Sequence, residues 1–317
     1  MKDVLRRLVA GEVTEDEALA EIRSLQLREL AGRARLDLGR HLRRGLPEVV
    51  LASGKAPVDA ARLVVALAER QGQGLISRMT GDHVAALTSA AGTAGMKIHL
   101  YSASARVVRS GFTPEELPGS VGILTAGTSD LPAADEVRMM VEACGLKVRL
   151  DADLGVAGLH RFVGPLASML DWGADVIVVA AGMDGVLPGL VAGLVGLPVI
   201  GLPVSTGYGH GGAGEAALGT MLQSCSTGLL VVNIDNGIGA GAAAVLIASR
   251  SAQGRRRGRN DAATAPASAA RSSAPTASGA IARHTSGPPG IAKVRASATT
   301  AASTPTNNHG KPRRRRP

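Results

Sequence analysis

Between residues 121 and 234 the chain repeats one pattern: a short apolar run of β type, a loop of glycine and polar residues, then a stretch of helical character. The runs are VGILTA (121 to 126), KVRL (147 to 150), ADVIVVAA (174 to 181), PVIGLPV (198 to 204) and GLLVVNI (228 to 234). Alternation of such runs with helices specifies βαβ units, and hence a parallel sheet covered by helices. The residues capable of chemistry follow the runs: GTSD (127 to 130), DADLGVAGLHR (151 to 161), AGMDG (181 to 185), VSTGYGHGG (204 to 212) and IDNGIGAG (234 to 241). In an open α/β sheet, ligands bind outside the carboxyl ends of the strands, where helix N-termini and close-approaching glycine backbone suit anions. One continuous site built from these loops is therefore expected.

Ahead of this unit, Thr14 followed three residues later by Glu17 forms a capping box, and residues 1–45 read as an amphipathic helical entry segment. Residues 46–115 alternate PEVVLA, GLISRM and MKIHLYS with the helical stretches VDAARLVVALAER and DHVAALTSAAG, a smaller α/β domain. The turn-rich GFTPEELPGS separates it from a catalytic domain over 120–250.

The net charge of +9 invites a nucleic-acid reading, so its location matters. Residues 251–317 hold 13 Lys/Arg against the single acid Asp261, which leaves residues 1–250 at about −3. That basic tail is rich in Ala, Ser, Thr and Pro. It cannot bury enough apolar surface to offset its ordering entropy and is expected to be disordered. Nonspecific contact of its arginines with RNA is the extent of the nucleic-acid partnership expected. Cys144 and Cys225 lack metal-ligand or disulfide-framework spacing. With no signal-type segment and no apolar stretch of membrane-spanning length, a cytoplasmic protein without a membrane partner is the expectation.

Within the loops, Ser129 and Asp130 stand before Leu131-Pro132, where a helix N-cap and an anion site are compatible roles. His160 and Arg161 close a loop that also holds Asp151 and Asp153, the best general acid/base grouping in the chain. Tyr208 and His210 lie among glycines, as in a lid over a ligand. Gly237, Gly239 and Gly241 read either as a phosphate cradle or as a tight turn with close helix packing. The cysteines look alike: Val137, Met140, Val141 and Cys144 fall at i, i+3, i+4, i+7, and so do Leu218, Met221, Leu222 and Cys225. Each therefore reads as part of an apolar helical stripe, and Cys225 also falls on the sheet edge away from the loops.

VGILTAGTSDLPAADE, LGVAGLHR, ADVIVVAAGMDGVLPGLVAGL, PVIGLPVSTGYG and MLQSCSTGLLVVNIDNGIGAG resemble, in order, the signatures of the pyridinium-3,5-biscarboxylic acid mononucleotide synthases of nickel-pincer cofactor biosynthesis. LDLGRHLRRGLPEVVLASGK resembles the same family, so the likeness covers roughly residues 36–249. The C-terminal part also resembles the aminoimidazole ribonucleotide carboxylases of purine synthesis, through Ser129-Asp130, His160-Arg161 and AAGMDGVLPG. Asp184 stands where the synthase pattern has glutamate.

The resemblance implies a doubly wound parallel sheet and a homo-oligomer, octameric as in the carboxylases. It implies carboxylation of nicotinic acid adenine dinucleotide, with CO2 as co-substrate and no tightly bound cofactor, followed by phosphoanhydride hydrolysis. A thiolate suits that reaction, because its addition to an electron-poor pyridinium makes the ring nucleophilic. The resemblance gives this role to Cys225, with Ser129, Asp130 and His160 as the other catalytic candidates. Thr128, Arg161, Gly182, Asp184, Ser205, Thr206, Gly207, Tyr208, Gly209, Asn233, Asp235, Asn236, Gly237 and Gly239 are substrate-binding candidates. Asp153, Asp184 and Asp235 are candidate ligands of a divalent ion such as Mg2+ for the hydrolysis. The rival readings are an aminoimidazole ribonucleotide carboxylase or mutase, and a non-enzymatic nucleotide- or RNA-binding protein.

Overall fold

A computed structural model describes residues 2–24, 28–30, 34–36 and 40–264. Helices α1 (Lys2–Val9) and α2 (Glu15–Ser24) open the chain. The capping box forms: the Glu17 N–H donates to Thr14 Oγ1 at 3.2 Å and the Thr14 N–H to Glu17 Oε2 at 2.8 Å. The helical expectation for residues 1–45 holds again over Arg40–Arg44 but not between, where two short strands stand. Strands β1 (Arg28–Leu30) and β2 (Ala34–Leu36) pair antiparallel before α3 (Arg40–Arg44). Residues 33–38, RARLDL, alternate charged and aliphatic side chains with period two, a strand pattern inside a composition that otherwise suits helices.

The next unit runs β3 (Val49–Leu51), α4 (Pro57–Gln71), β4 (Gln73–Ser77), α5 (Gly81–Thr93), β5 (Lys97–Tyr101) and β6 (Ser104–Val108). Its sheet order is β3-β4-β6-β5, with β3 and β4 parallel and β6 antiparallel to both neighbours. Strand β6 is not evident in the sequence because Arg106 interrupts its apolar run. Inside the sheet that guanidinium is satisfied, its Nε donating to Gln73 Oε1 at 2.7 Å. Val64, Leu67 and Leu87 of α4 and α5 form the core against this sheet.

The C-terminal unit runs β7 (Ser120–Thr125), α6 (Leu131–Ala143), β8 (Lys147–Asp151), α7 (His160–Asp171), β9 (Val176–Ala181), α8 (Leu187–Leu194), β10 (Val199–Pro203), α9 (Glu215–Leu222), β11 (Leu229–Val231) and α10 (Gly237–Thr264). All the apolar runs are strands, every pairing is parallel, and the order is β11-β10-β9-β7-β8. Side chains alternate between two buried faces. Ile123, Val176 and Val178 meet α6 and α10, whereas Leu124, Ile177 and Val179 meet α7, α8 and α9. This is the doubly wound α/β fold expected from the sequence.

The two units join at α6. Gln73 Nε2 donates to the Ala143 carbonyl at 2.8 Å, and the Tyr101 hydroxyl donates to Glu142 Oε2 at 2.6 Å. At the other end, α10 continues to Thr264, so the tail boundary expected at residue 251 falls inside a helix. Arg255 anchors this extension by pairing with the buried carboxylate of Asp175, whose second oxygen accepts the Ser120 N–H at 2.9 Å. The remainder of the segment expected to be disordered, 265–317, lies outside the described residues. Among the described residues no helix is long and apolar enough to cross a membrane.

Ile177 is fully buried at the centre of β9. Ile177→Ala is expected to lower unfolding free energy by about 2–5 kcal/mol, read from urea titrations by circular dichroism.

Candidate active site

The carboxyl-end loops of four adjacent strands enclose a cavity of about 630 Å3. Its wall comprises Ala126, Gly127, Ser129 and Asp130 after β7, and Gly155, Val156 and Ala157 after β8. Gly182, Met183 and Asp184 after β9, with Thr206, Gly207 and Tyr208 after β10, complete it. Most of the wall is backbone and small or apolar side chains, with Ser129, Asp130, Asp184, Thr206 and the Tyr208 hydroxyl as polar groups. That combination suits a flat organic ring oriented by a few hydrogen bonds. Tyr208 is 83 % exposed, as a side chain waiting at a rim would be.

Asp130 organises the centre. It is 3 % exposed, and its two oxygens are occupied: Oδ2 accepts the Gly127 N–H at 2.8 Å and Oδ1 accepts the Thr206 hydroxyl at 2.6 Å. The expected helix start therefore takes the form of a single 3-10 turn over Thr128–Asp130, capped backwards by the Asp130 side chain, ahead of α6. Between β7 and β10, the Met183 N–H donates to the Thr206 carbonyl at 3.0 Å. Gly182 is required here because a Cβ would run into that same carbonyl.

Beside this cavity lies a second one of about 380 Å3, lined by Arg78, Met79, Ala103, Ser129, Pro132, Ala133, Glu136, Val204, Ser205, Thr206 and Asp235. Ser129 and Thr206 belong to both. Arg78 follows β4, so the N-terminal sheet contributes to this wall, and its Nη2 donates to the Asp235 carbonyl at 2.8 Å. The Asp235 carboxylate turns away, Oδ1 accepting the Ser205 N–H at 2.9 Å. Burial pushes the Glu136 carboxyl above the usual carboxylate range, although its Oε2 accepts the Ile238 N–H at 3.3 Å.

A family model for AIR carboxylase matches residues 120–263, and one for the LarB/PurE-like N-terminal domain matches residues 28–111. An uncharacterized protein of Methanocaldococcus jannaschii is 36% identical over 252 residues, covering 78% of this chain and 96% of that protein. The chain belongs to the LarB/PurE-like family. This LarB/PurE-like protein is thus of the carboxylase/mutase type. The N5-carboxyaminoimidazole ribonucleotide mutase of Thermotoga maritima is 33% identical over 90 residues, which span 27% of this chain and half of the mutase. A crystal structure of a single-residue variant of Treponema denticola PurE2 aligns with 49% of this chain and 100% of that one, at 17% identity and a TM-score of 0.32.

Of the candidates read from the sequence of this LarB/PurE-like chain, the main cavity gathers Ser129, Asp130, Gly182, Asp184, Thr206, Gly207 and Tyr208, and the second adds Ser205 and Asp235. Thr128, Gly209 and His210 line neither. His160 is exposed at the first residue of α7 and also lies off both walls. Arg161 pairs with Asp153 and sits behind Gly155, whose Cβ position would lie 3.8 Å from Nη1. Asn233 and Asn236 are used locally, accepting the Ile234 and Gly239 N–H groups at 2.9 Å. The packing reading of the glycines has direct support, since a Cβ on Gly237 would meet the Ala133 carbonyl and one on Gly241 would come within 2.8 Å of Met140 Cβ.

The metal reading is not supported by the donor geometry. Asp153 is held by Arg161, Asp184 accepts the Val186 N–H at 3.4 Å, and Asp235 holds Ser205. Among the described residues no three His, Cys, Asp or Glu side chains converge as ligands.

The two cysteines part company. Cys144 is buried where α6 ends, as its stripe predicts, and burial pushes its thiol up to about 12. Cys225 is exposed, because α9 stops at Leu222 and the apolar stripe ends with it. The residues beside it bond locally instead: the Ser226 N–H to Ser224 Oγ at 3.2 Å, and the Ser226 hydroxyl to the Gly189 carbonyl of α8 at 2.7 Å. Cys225 precedes β11, away from the carboxyl ends, and lines neither cavity.

Sequence reading missed Arg78, Met183 and Glu136. Arg78 has a local signal, being a polar residue directly after an apolar β run.

At neutral pH a disulfide reagent such as Ellman's is expected to titrate one thiol in the folded protein and two after denaturation. The fast thiol should vanish in Cys225→Ser and persist in Cys144→Ser. Separately, Thr206→Val removes the donor to a buried carboxylate oxygen. It should cost about 1–3 kcal/mol of stability in urea titrations, more than Thr128→Val at an exposed position.

Proposed function

We propose that this protein carboxylates nicotinic acid adenine dinucleotide at pyridinium C5 with CO2 and then hydrolyses the phosphoanhydride. The products are AMP and pyridinium-3,5-biscarboxylic acid mononucleotide, the first step of nickel-pincer cofactor biosynthesis. The observation that carries this reading is the pair of cavities sharing Ser129 and Thr206 over the buried Asp130. One is walled for a ring and the other offers an arginine, as a substrate with a pyridinium at one end and phosphates beyond it requires.

In the proposed reaction the thiolate of Cys225 forms a bond to ring C4, and the electron pair of the ring is then shared with nitrogen as an enamine. C5 attacks CO2, the C5 proton passes to a base, and loss of the thiolate from C4 restores the aromatic pyridinium. The net change is C5–H replaced by C5–carboxylate with release of one proton. Ser129 donates to the ring carboxylate or to CO2. Asp130, the carboxylate that lines the cavity within this chain, takes the C5 proton. Water then cleaves the phosphoanhydride.

A covalent role for Cys225 requires that its thiol meet a cavity it does not line. We assign the cavity to a neighbouring copy in a homo-oligomer, octameric by family likeness. In support, the Cys225 segment and the elements packed with it leave Leu194, Leu222 and Leu230 more than half exposed, an apolar surface suited to subunit contact.

The test is incubation with nicotinic acid adenine dinucleotide and bicarbonate. AMP and a mononucleotide heavier than nicotinic acid mononucleotide by one carboxyl group are expected, with Cys225→Ser reduced at least a hundredfold. Intact mass should show a pyridine-nucleotide adduct on wild type only. Turnover of N5-carboxyaminoimidazole ribonucleotide in place of the dinucleotide would establish the mutase reading, which the Thermotoga maritima relative favours.

A further inference from the structure

Arg78 belongs to the smaller, N-terminal sheet, yet it faces the second cavity beside Ser205 and Thr206. It stands directly after β4, which runs parallel to β3, and so occupies the carboxyl edge of its own sheet, the edge at which open α/β sheets take ligands. Its backbone is in the left-handed region at φ 56, and so is that of Asp235 opposite it at φ 55. Non-glycine residues are held in that region at a cost, and such positions collect at ligand sites. Met183, at φ 47, is a third such residue on the walls of these cavities.

The side chain is charged, exposed and only partly used. A guanidinium has several N–H donors in a planar fork, and one of them serves the Asp235 carbonyl. Among the described residues Arg78 forms no ion pair. The Asp235 carboxylate is turned to Ser205, and the Glu136 carboxylate, held at the start of α10 by the Ile238 N–H, faces Arg78 without a direct ion pair. Its charge is felt by the Glu136 carboxyl across the cavity, but no carboxylate oxygen bonds it; with the Ser129 and Ser205 hydroxyls on the same wall, its remaining donors suit an anion with several acceptor oxygens.

We propose that Arg78 grips a phosphate of the nucleotide substrate in the second cavity, so that the N-terminal sheet is half of the substrate site and not only a support for α6. The inference rests on the nucleotide substrate proposed above. It assigns the ring to the larger cavity and the phosphates to the smaller one.

Calorimetric titration of the full chain with nicotinic acid adenine dinucleotide tests it without relying on turnover. Arg78→Met should weaken binding about tenfold or more, as loss of a charge-assisted hydrogen bond does, and Arg78→Lys should fall between it and wild type. Nicotinic acid riboside, which keeps the ring and carboxylate but has no phosphate, should bind wild type and Arg78→Met within a factor of two. Arg62→Ala, a surface arginine paired with Asp59, serves as the charge control and should bind as wild type does. Unchanged dinucleotide affinity in Arg78→Met overturns the inference alone. So does an equal loss for the dinucleotide and the riboside, the signature of a merely structural arginine. Failure of wild type to bind the dinucleotide overturns the substrate reading and this inference with it.

Discussion

The Asp130 carboxylate is the tie on which the site depends. With one oxygen on the Gly127 amide and the other on the Thr206 hydroxyl, it joins the loops after β7 and β10 across the end of the intervening strand β9. Everything nearby is arranged to let that tie close. Gly182 removes the Cβ that would hold the Thr206 carbonyl away, Met183 accepts a left-handed backbone to offer its amide to that carbonyl, and Thr125 bonds the Gly127 carbonyl at 2.9 Å. Two carboxylate bonds made in a dry setting fix the relative height of two loops, and the positions of Ser129 and Tyr208 follow from theirs.

This arrangement was largely legible in the C-terminal half because its sheet is covered on both faces. A strand buried on both sides must be apolar throughout, so a polar residue can appear only where the strand has ended. That is why GTSD, AGMDG and VSTGYG stand out as site loops. The same logic weakens in the N-terminal half. Strand β6 carries Arg106 in its centre, satisfied by Gln73 from the neighbouring strand, and a pairing partner distant in sequence leaves no local mark. Arg78 differs: it follows an apolar run as the site residues do, but the wall opposite it comes from loops distant in sequence.

Two ambiguities in the loops have separate physical causes. The glycines of IDNGIGAG look like a phosphate cradle because both cradles and tight helix crossings need backbone without Cβ, and here α6 lies against them. Cys225 looked like a core thiol because periodicity assumes that the helix continues. Ser224 and Ser226 draw backbone and side-chain bonds away from helical geometry, α9 ends at Leu222, and the thiol is left in solvent.

Helix α10 starts at the rim of the second cavity, where Glu136 holds its Ile238 amide, and Arg255 is fastened to Asp175 just ahead of β9, on the opposite edge of the sheet. The helix between Ile238 and Arg255 is continuous and spans about 25 Å. Such a rod transmits force along its axis with little give. One continuous helix therefore ties the loop carrying Asp235, at the carboxyl edge of the sheet, to Asp175 at its amino edge, so the wall that Arg78 faces is braced from the far side of the domain.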